Sequence, residues 1–156
     1  MELDELDRRI LEILQRDASI TNNELAEKVH ASAPTCLRRV RRLREAGLIE
    51  REIALVDPVR LGLSVTAIIE ITLDVQTVEK QEAFEALVAR EEAVTQCYRV
   101  SPGPDFILLV QLRDLDDYHG FAHRLFTAHA NVRNVRTFFS TRRSKFQPFV
   151  PVKAKD

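Results

Sequence analysis

Glycine is scarce in this sequence, four in 156 residues, which leaves no material for a glycine-rich phosphate loop. Cysteine is scarcer still. Cys36 and Cys97 stand alone, with neither the spacing of a metal site nor the count of a disulfide framework, and both read as small buried hydrophobes. No apolar run approaches the roughly 18 residues that a membrane-crossing helix needs. The first residues, Met-Glu-Leu-Asp-Glu-Leu-Asp-Arg-Arg, lack the apolar core of a secretory leader, so the expectation is a cytoplasmic chain with no membrane partner. A net charge of −1 and a pI near 6.4 show that the chain is not basic as a whole. Any affinity for a polyanion must then be local. With 45% hydrophobic and 30% charged residues, the rest is ordinary globular composition, enough for one domain or two small ones.

The local exception is Ser32 to Gly47, where five arginines and no acid fall between Ser32 and Arg44. Ser32 suits an N-cap, and Gly47 suits the left-handed residue that closes a helix. Leu37, Val40 and Leu43 recur at helical spacing and are expected to pack inward. At about 100° per residue, Thr35, Arg38 and Arg42 then point away from Val40, flanked by Arg39 and Arg41. Such a helix fits either a solvated basic face or insertion into the major groove.

What precedes it favours the groove. Leu6, Ile10, Ile13 and Leu14 mark a first amphipathic helix between Asp4 and Asp17, with acids at its start as the macrodipole prefers. Thr21-Asn22-Asn23-Glu24 has the form of a capping box and opens a second helix with Leu25, Ala26 and Val29 inside. A turn of about His30 to Ser32 joins it to the arginine helix, which is the helix-turn-helix arrangement. Leu48 to Leu55 alternates loosely and is expected to form the short strands of a wing. Arg51 there is placed either on a phosphate or in solvent.

Asp57-Pro58 and Leu61-Gly62 break the pattern, and the domain boundary is placed there. Val65 to Leu73 then alternates as a strand, and Phe84, Leu87 and Val88 mark a helix from about Val78 to Glu91. Val94–Ser101 and Phe106–Leu112 read as strands around a stiff Ser-Pro-Gly-Pro-Asp turn. Asp114 caps a helix carrying Tyr118, Phe121, Ala122, Leu125 and Phe126, and Val135–Arg143 gives a last strand before a tail, Gln147–Val152. The expected fold is α+β in two domains: a winged helix-turn-helix over residues 1–63 and a ferredoxin-like βαββαβ unit over 64–156. One face of that sheet lacks cover, and a second copy is the simplest cover.

In LDELDRRILEILQRDASITNNELAEKV, SAPTCLRRVRRLREAGLI, ALVDPVRLG and the βαββαβ half, the chain resembles the Lrp/AsnC (feast/famine) transcription regulators almost end to end. The resemblance implies a DNA-binding regulator that is not an enzyme and needs no cofactor or metal. Its implied partners are double-stranded DNA at imperfect palindromes, an amino acid or related small effector, and its own copies, as dimers assembling to octamers. Its implied place is the cytoplasm, associated with the nucleoid. The reading helix would run from Ser32 to Arg42, with Thr35, Arg38 and Arg42 toward base edges and nearby phosphates. Arg39, Arg41 and Arg51 would meet the backbone.

The family's effector loop corresponds to Val100-Ser101-Pro102-Gly103-Pro104-Asp105. Asp105 matches, but Pro102 stands where a glycine is usual and Gly103 lies one place on. Proline has no N–H, so Ser101, Gly103 and Asp105 are the expected donors to an effector carboxylate. Tyr98 is a further candidate lining residue; Phe106, Thr137 and Ser140 read more simply as sheet positions. A rigid hairpin with no ligand is the competing reading.

Other signals carry little. His119 and His123 have metal-binding spacing but no third ligand, and His129 suits a helix end. Asp116 and Asp117 read as helix-start acids. No nucleophile elbow is visible. Two further functions share the architecture: a subunit resembling sirohaem decarboxylases, and a DNA-architectural protein without an effector.

Overall fold

The structure, a computed structural model, describes residues 2–128 and 131–152; His129 lies outside them. It divides into two compact units, Met1–Leu55 with Lys145–Asp156, and Val56–Ser144. The compact units divide at Leu55/Val56. The tail goes with the first unit because Gln15 bonds the Val150 backbone twice, at 3.1 and 2.7 Å, and Val152 packs against the helical core.

The first unit is three helices: α1 (Glu5–Leu14), α2 (Asn22–Val29) and α3 (Ala33–Glu45). Each begins where a side chain satisfies orphan amides. Asp4 and Asp7 form a reciprocal capping box on α1, as Thr21 and Glu24 do on α2. Ser32 accepts from the Thr35 N–H at the start of α3. The turn between α2 and α3 is closed by His30 in the left-handed conformation (φ 55°), with the Ala31 N–H returning to the Ala26 carbonyl at 3.0 Å. Asn22 Nδ2 donates to the Ala33 carbonyl at 2.9 Å, which pins the start of α3 to the start of α2. Ile10, Leu11, Leu25, Ala26, Val29, Cys36, Val40 and Leu43 form the core.

Two expectations fail in this unit. Leu37 is 56% exposed, because Cys36, Val40 and Leu43 form the inner stripe and Leu37 falls on its flank. No strand forms across Leu48–Leu55. A two-stranded ribbon is marginal by itself, and this segment finds no partner strand among the described residues; Ile53 and Leu55 remain 66% and 59% exposed.

The second unit is a four-stranded antiparallel sheet. β1 (Val65–Leu73), β2 (Val94–Arg99), β3 (Phe106–Leu112) and β4 (Val132–Phe139) stand in the order β2-β3-β1-β4. The helices α4 (Val78–Val88) and α5 (Leu115–Ala122) complete the βαββαβ pattern, and a wider π-type turn, His123–Thr127, continues α5. Ala67, Ile69, Ile71 and Leu73 on β1, with Phe106, Leu108, Val110 and Leu112 on β3, face α4 and α5 and are fully or almost fully buried. Alternation places Ile68, Ile107, Leu109, Tyr98 and Phe138 on the other face, paired across the sheet by register. The last strand starts at Val132, ahead of the expected Val135, and ends at Phe139. Cys36 is buried as expected, whereas Cys97, opposite Leu108 on the edge strand β2, is exposed.

Candidate nucleic-acid interface and small-molecule cleft

The arginines of α3 divide by partner. Arg39 reaches both carboxylate oxygens of Asp7 at 3.2 Å and also pairs with Asp4; Arg42 pairs with Asp7. Arg44 pairs with Glu52. Arg38 and Arg41 are exposed and have no ion-pair partner among the described residues. With Pro34 and Leu37 they make the outward surface of the helix, and Ser32 and Thr35 stand at its start, linked by a 2.8 Å hydroxyl bond. Arg51 is exposed beside Glu50, at 3.6 Å. Of the expected contacts, Ser32, Thr35, Arg38 and Arg41 therefore lie together, Arg51 lies on the unstructured segment beyond α3, and Arg39 and Arg42 face α1.

Asp7 explains that turn toward α1. Its side chain has no exposed surface, against 22% for Arg39 and 43% for Arg42. Removing a partner from a buried pair costs roughly 3–5 kcal/mol, more than the roughly 1.5–3 kcal/mol of a new charged hydrogen bond. The arginines stay with the acid. The Asp7 N–H, followed by the Arg39 guanidinium, holds the Asp4 carboxyl below the usual carboxylate range. Asp4, ahead of Asp7, raises Arg39. The sequence signal for Asp7 was present: it shares the inner face of α1 with Ile10, Leu11 and Leu14, at i+3, i+4 and i+7. Its charge made it read as a helix-start acid.

The second unit holds a cleft of about 450 Å³ lined by Gln76, Gln81, Arg99, Val100, Ser101, Gly103, Pro104 and Asp105. Three of the four expected effector residues meet there. Tyr98 does not; it is 53% exposed on the other face of the sheet, its hydroxyl donating to Gln96 at 2.7 Å. Asp105 is internally engaged. Its carboxylate accepts from the Leu73 N–H at 2.7 Å and from Gln76 at 3.1 Å, and its own N–H donates to the Ile71 carbonyl at 2.8 Å. It is therefore not the third amide donor the sequence suggested. The amides of Ser101 and Gly103 have no partner among the described residues. Gly103 sits at φ +120°, a conformation that favours glycine. At the rim, Arg99 makes a bidentate pair with Glu85 at 2.9 and 2.8 Å. Gln76, Gln81 and Arg99 were not foreseen, since only the folded loop brings them to Ser101.

Phe106 is buried against Phe84, Thr137 bonds Tyr118 at 2.6 Å and the Ser140 N–H bonds the Thr66 carbonyl, so all three serve the sheet. No group of His, Cys, Asp and Glu among the described residues could hold a metal. Nor is any described helix long and apolar enough to cross a membrane.

Comparison with known proteins identifies the family of each half of the chain. Residues 3–50 match the winged helix-turn-helix DNA-binding family and residues 66–148 the Lrp/AsnC ligand binding domain. The leucine-responsive regulatory protein of Rhizobium meliloti is 41% identical over 93% of this chain and 93% of its own length. An AsnC family transcriptional regulator from Agrobacterium tumefaciens superposes with TM-score 0.91 at 33% identity, over 96% of this chain and 97% of that one. A Neisseria meningitidis transcriptional regulator in complex with L-Met superposes with TM-score 0.92 at 28% identity, over 97% of each chain. All three are named as regulators, which favours the regulator over the decarboxylase alternative. The chain belongs to the Lrp/AsnC family and is a DNA-binding transcriptional regulator.

Proposed function

We propose that α3 reads imperfect palindromes in the major groove through Ser32, Thr35, Arg38 and Arg41, with Arg51 on a neighbouring phosphate. The observation that carries this is the pair Arg38 and Arg41, the two arginines of α3 left outward and unpaired among the described residues. Arg38 is assigned to a guanine edge, where a bidentate pair discriminates by roughly 1–3 kcal/mol. Arg41 is assigned to phosphate. Leu37, exposed beside them, offers an apolar surface to a thymine methyl. Titration of wild type and Arg38→Ala against a bound promoter fragment and a scrambled duplex is the test. Arg38→Ala should lose more on the promoter; equal loss on both removes it from the reading role.

The cleft is assigned to an amino acid, its carboxylate received by the Ser101 and Gly103 amides. The Neisseria neighbour, seen with L-Met, supports this class. Calorimetry with the amino acids, beginning with methionine and leucine, should show binding that Gly103→Pro abolishes; no heat from any of them leaves an architectural DNA-binding role. A second copy is assigned to the uncovered sheet face, where Ile68, Tyr98 and Phe138 are 38%, 53% and 41% exposed. Light scattering should then give a dimer or a multiple of it, up to the octamer, and a monomer refutes this. The matching place for such a protein is the cytoplasm, at the nucleoid. The domains are assigned to residues 1–63 and 64–156 along the chain, with residues 56–63, which pack in the second compact unit, as the link and with the tail grouped with the first unit.

A further inference from the structure

We propose that Asp7 is a positioning residue for DNA reading. By holding Arg39 and Arg42 it fixes the roll of α3 and keeps both arginines off phosphate, so they serve discrimination and not salt-dependent attraction. The inference rests on α3 being the reading helix.

Asp7 is fully buried, and both its oxygens face Arg39 while one also meets Arg42. Its backbone N–H is bound to Asp4 at 2.9 Å, so the carboxylate is set from the first turn of α1. Arg39 and Arg42 are neighbours on one side of α3, a turn apart. A single fixed carboxylate gripped from two successive turns defines both the axial position and the rotation of the helix that carries them. The Nε of Arg42 is buried with no partner among the described residues, while the side chain as a whole stays 43% exposed. Either arginine could move to a phosphate only by giving up one of the two cations on a buried acid, and a solvent-washed phosphate contact offsets little of that. Arg38 and Arg41 have no such tie. Asp7 thus sorts the basic residues of one helix into those that orient it and those that touch DNA.

The test uses the full chain, with wild type, Asp7→Asn, Arg42→Gln and Arg41→Gln each titrated by fluorescence anisotropy across a KCl series. The duplexes are a bound genomic site and its scrambled version. Asp7→Asn should bind the scrambled duplex more tightly, with a log-affinity against log-salt slope steeper by roughly 0.9 for each arginine freed. Its ratio of specific to non-specific affinity should fall about tenfold, comparable with losing one base pair of recognition. Arg42→Gln leaves Asp7 on Arg39 and decides the matter if Asp7→Asn does not fold by circular dichroism. It should lower the ratio while keeping the wild-type slope. A slope smaller by roughly 0.9 in Arg42→Gln puts Arg42 on phosphate and overturns the proposal. So does a folded Asp7→Asn with the wild-type ratio. Should Arg41→Gln change neither slope nor ratio, the assignment of the reading face fails, separately from the clamp.

Discussion

The reading helix and the cleft loop work with different parts of the chain. On α3 the groups proposed to bind are side chains, presented by a helix whose start is capped by Ser32 and whose Arg42 is tied to Asp7. In the loop the groups proposed to bind are the backbone amides of Ser101 and Gly103, presented by a turn that Asp105 anchors through Leu73 and Gln76. In both cases a buried aspartate does the holding, and exposed groups are the ones proposed to bind. The difference is that such a helix can change its ligand by changing side chains, whereas the proposed loop site would accept whatever carboxylate fits two amides. Side-chain selectivity for the effector then falls to the residues around it, Gln76, Gln81 and the Arg99–Glu85 pair.

The largest expected effect breaks the helix half of this comparison. Removing Arg38 and Arg41 together should lower affinity for the bound site by at least tenfold, since a bidentate base contact alone is worth roughly 1–3 kcal/mol. It should leave amino-acid binding untouched, as read by calorimetry. A parallel loss of effector binding would mean that the two regions are not separate in function.

Next in size is the anchor of the loop. Asp105→Ala leaves the Leu73 amide buried without its acceptor, a cost of about 1–3 kcal/mol, and frees Gln76. Denaturant unfolding should show that loss. Effector binding should fall with it, because the amides of Ser101 and Gly103 are no longer aimed together. Unchanged calorimetry in a destabilised Asp105→Ala would show that the loop holds its shape without the anchor.

A smaller change probes the loop backbone alone. Gly103→Ala meets no steric neighbour within 4 Å, so its penalty is conformational, at φ +120°. About 1–3 kcal/mol is the scale for holding a non-glycine residue there. Part of it should be relieved by local rearrangement, so the melting temperature should fall modestly while effector affinity drops clearly. Gly47→Ala, at φ +71° after α3, has the same kind of strain but should affect DNA binding and not the effector.

Local chemistry made much of this molecule legible in the sequence. The two capping features, Thr21–Glu24 and Ser32, are decided within four residues, and the helix-turn-helix followed from them. The alternation on β1 and β3 was equally plain, because every second residue from Ala67 to Leu73 is buried. What stayed hidden depends on partners distant in sequence. Leu48–Leu55 has strand-like alternation, but a strand exists only with another beside it. Leu37 and Cys36 compete for one inner position, and the smaller residue holds it. Arg39 and Arg42 looked free because their partner lies 32 and 35 residues away. Asp105 looked like an available amide because its bond to Ile71 forms only when the loop crosses the end of the sheet.

Acid gives the smallest test and separates the units by which carboxylates they rely on. In the helical unit Asp4, Asp17 and Glu24 are all held below the usual range. The causes that lead are the Asp7 N–H for Asp4, the Ser19 hydroxyl for Asp17 and the Thr21 hydroxyl for Glu24. In the sheet unit Asp117 is lowered by the Arg113 N–H. A carboxyl with a folded pKa below its unfolded value adds stability that is complete above the unfolded pKa, about 4, and is lost as pH falls through the folded one. Stability should therefore be flat from pH 8 to 5 on account of these groups and decline only below about 4. Because two of the four cap the starts of α1 and α2 and Asp17 lies in the connection between them, carbon-detected NMR across pH 5 to 2 should show low midpoints there. The helical signals should broaden before those of the sheet. Asp4, Asp17 and Glu24 are exposed and Asp117 partly so, and the loss should be gradual. The reverse order, with the sheet loosening first, would show that the caps on α1 and α2 contribute less to holding the reading helix than the apolar contacts of Ile10, Leu25 and Leu43 do.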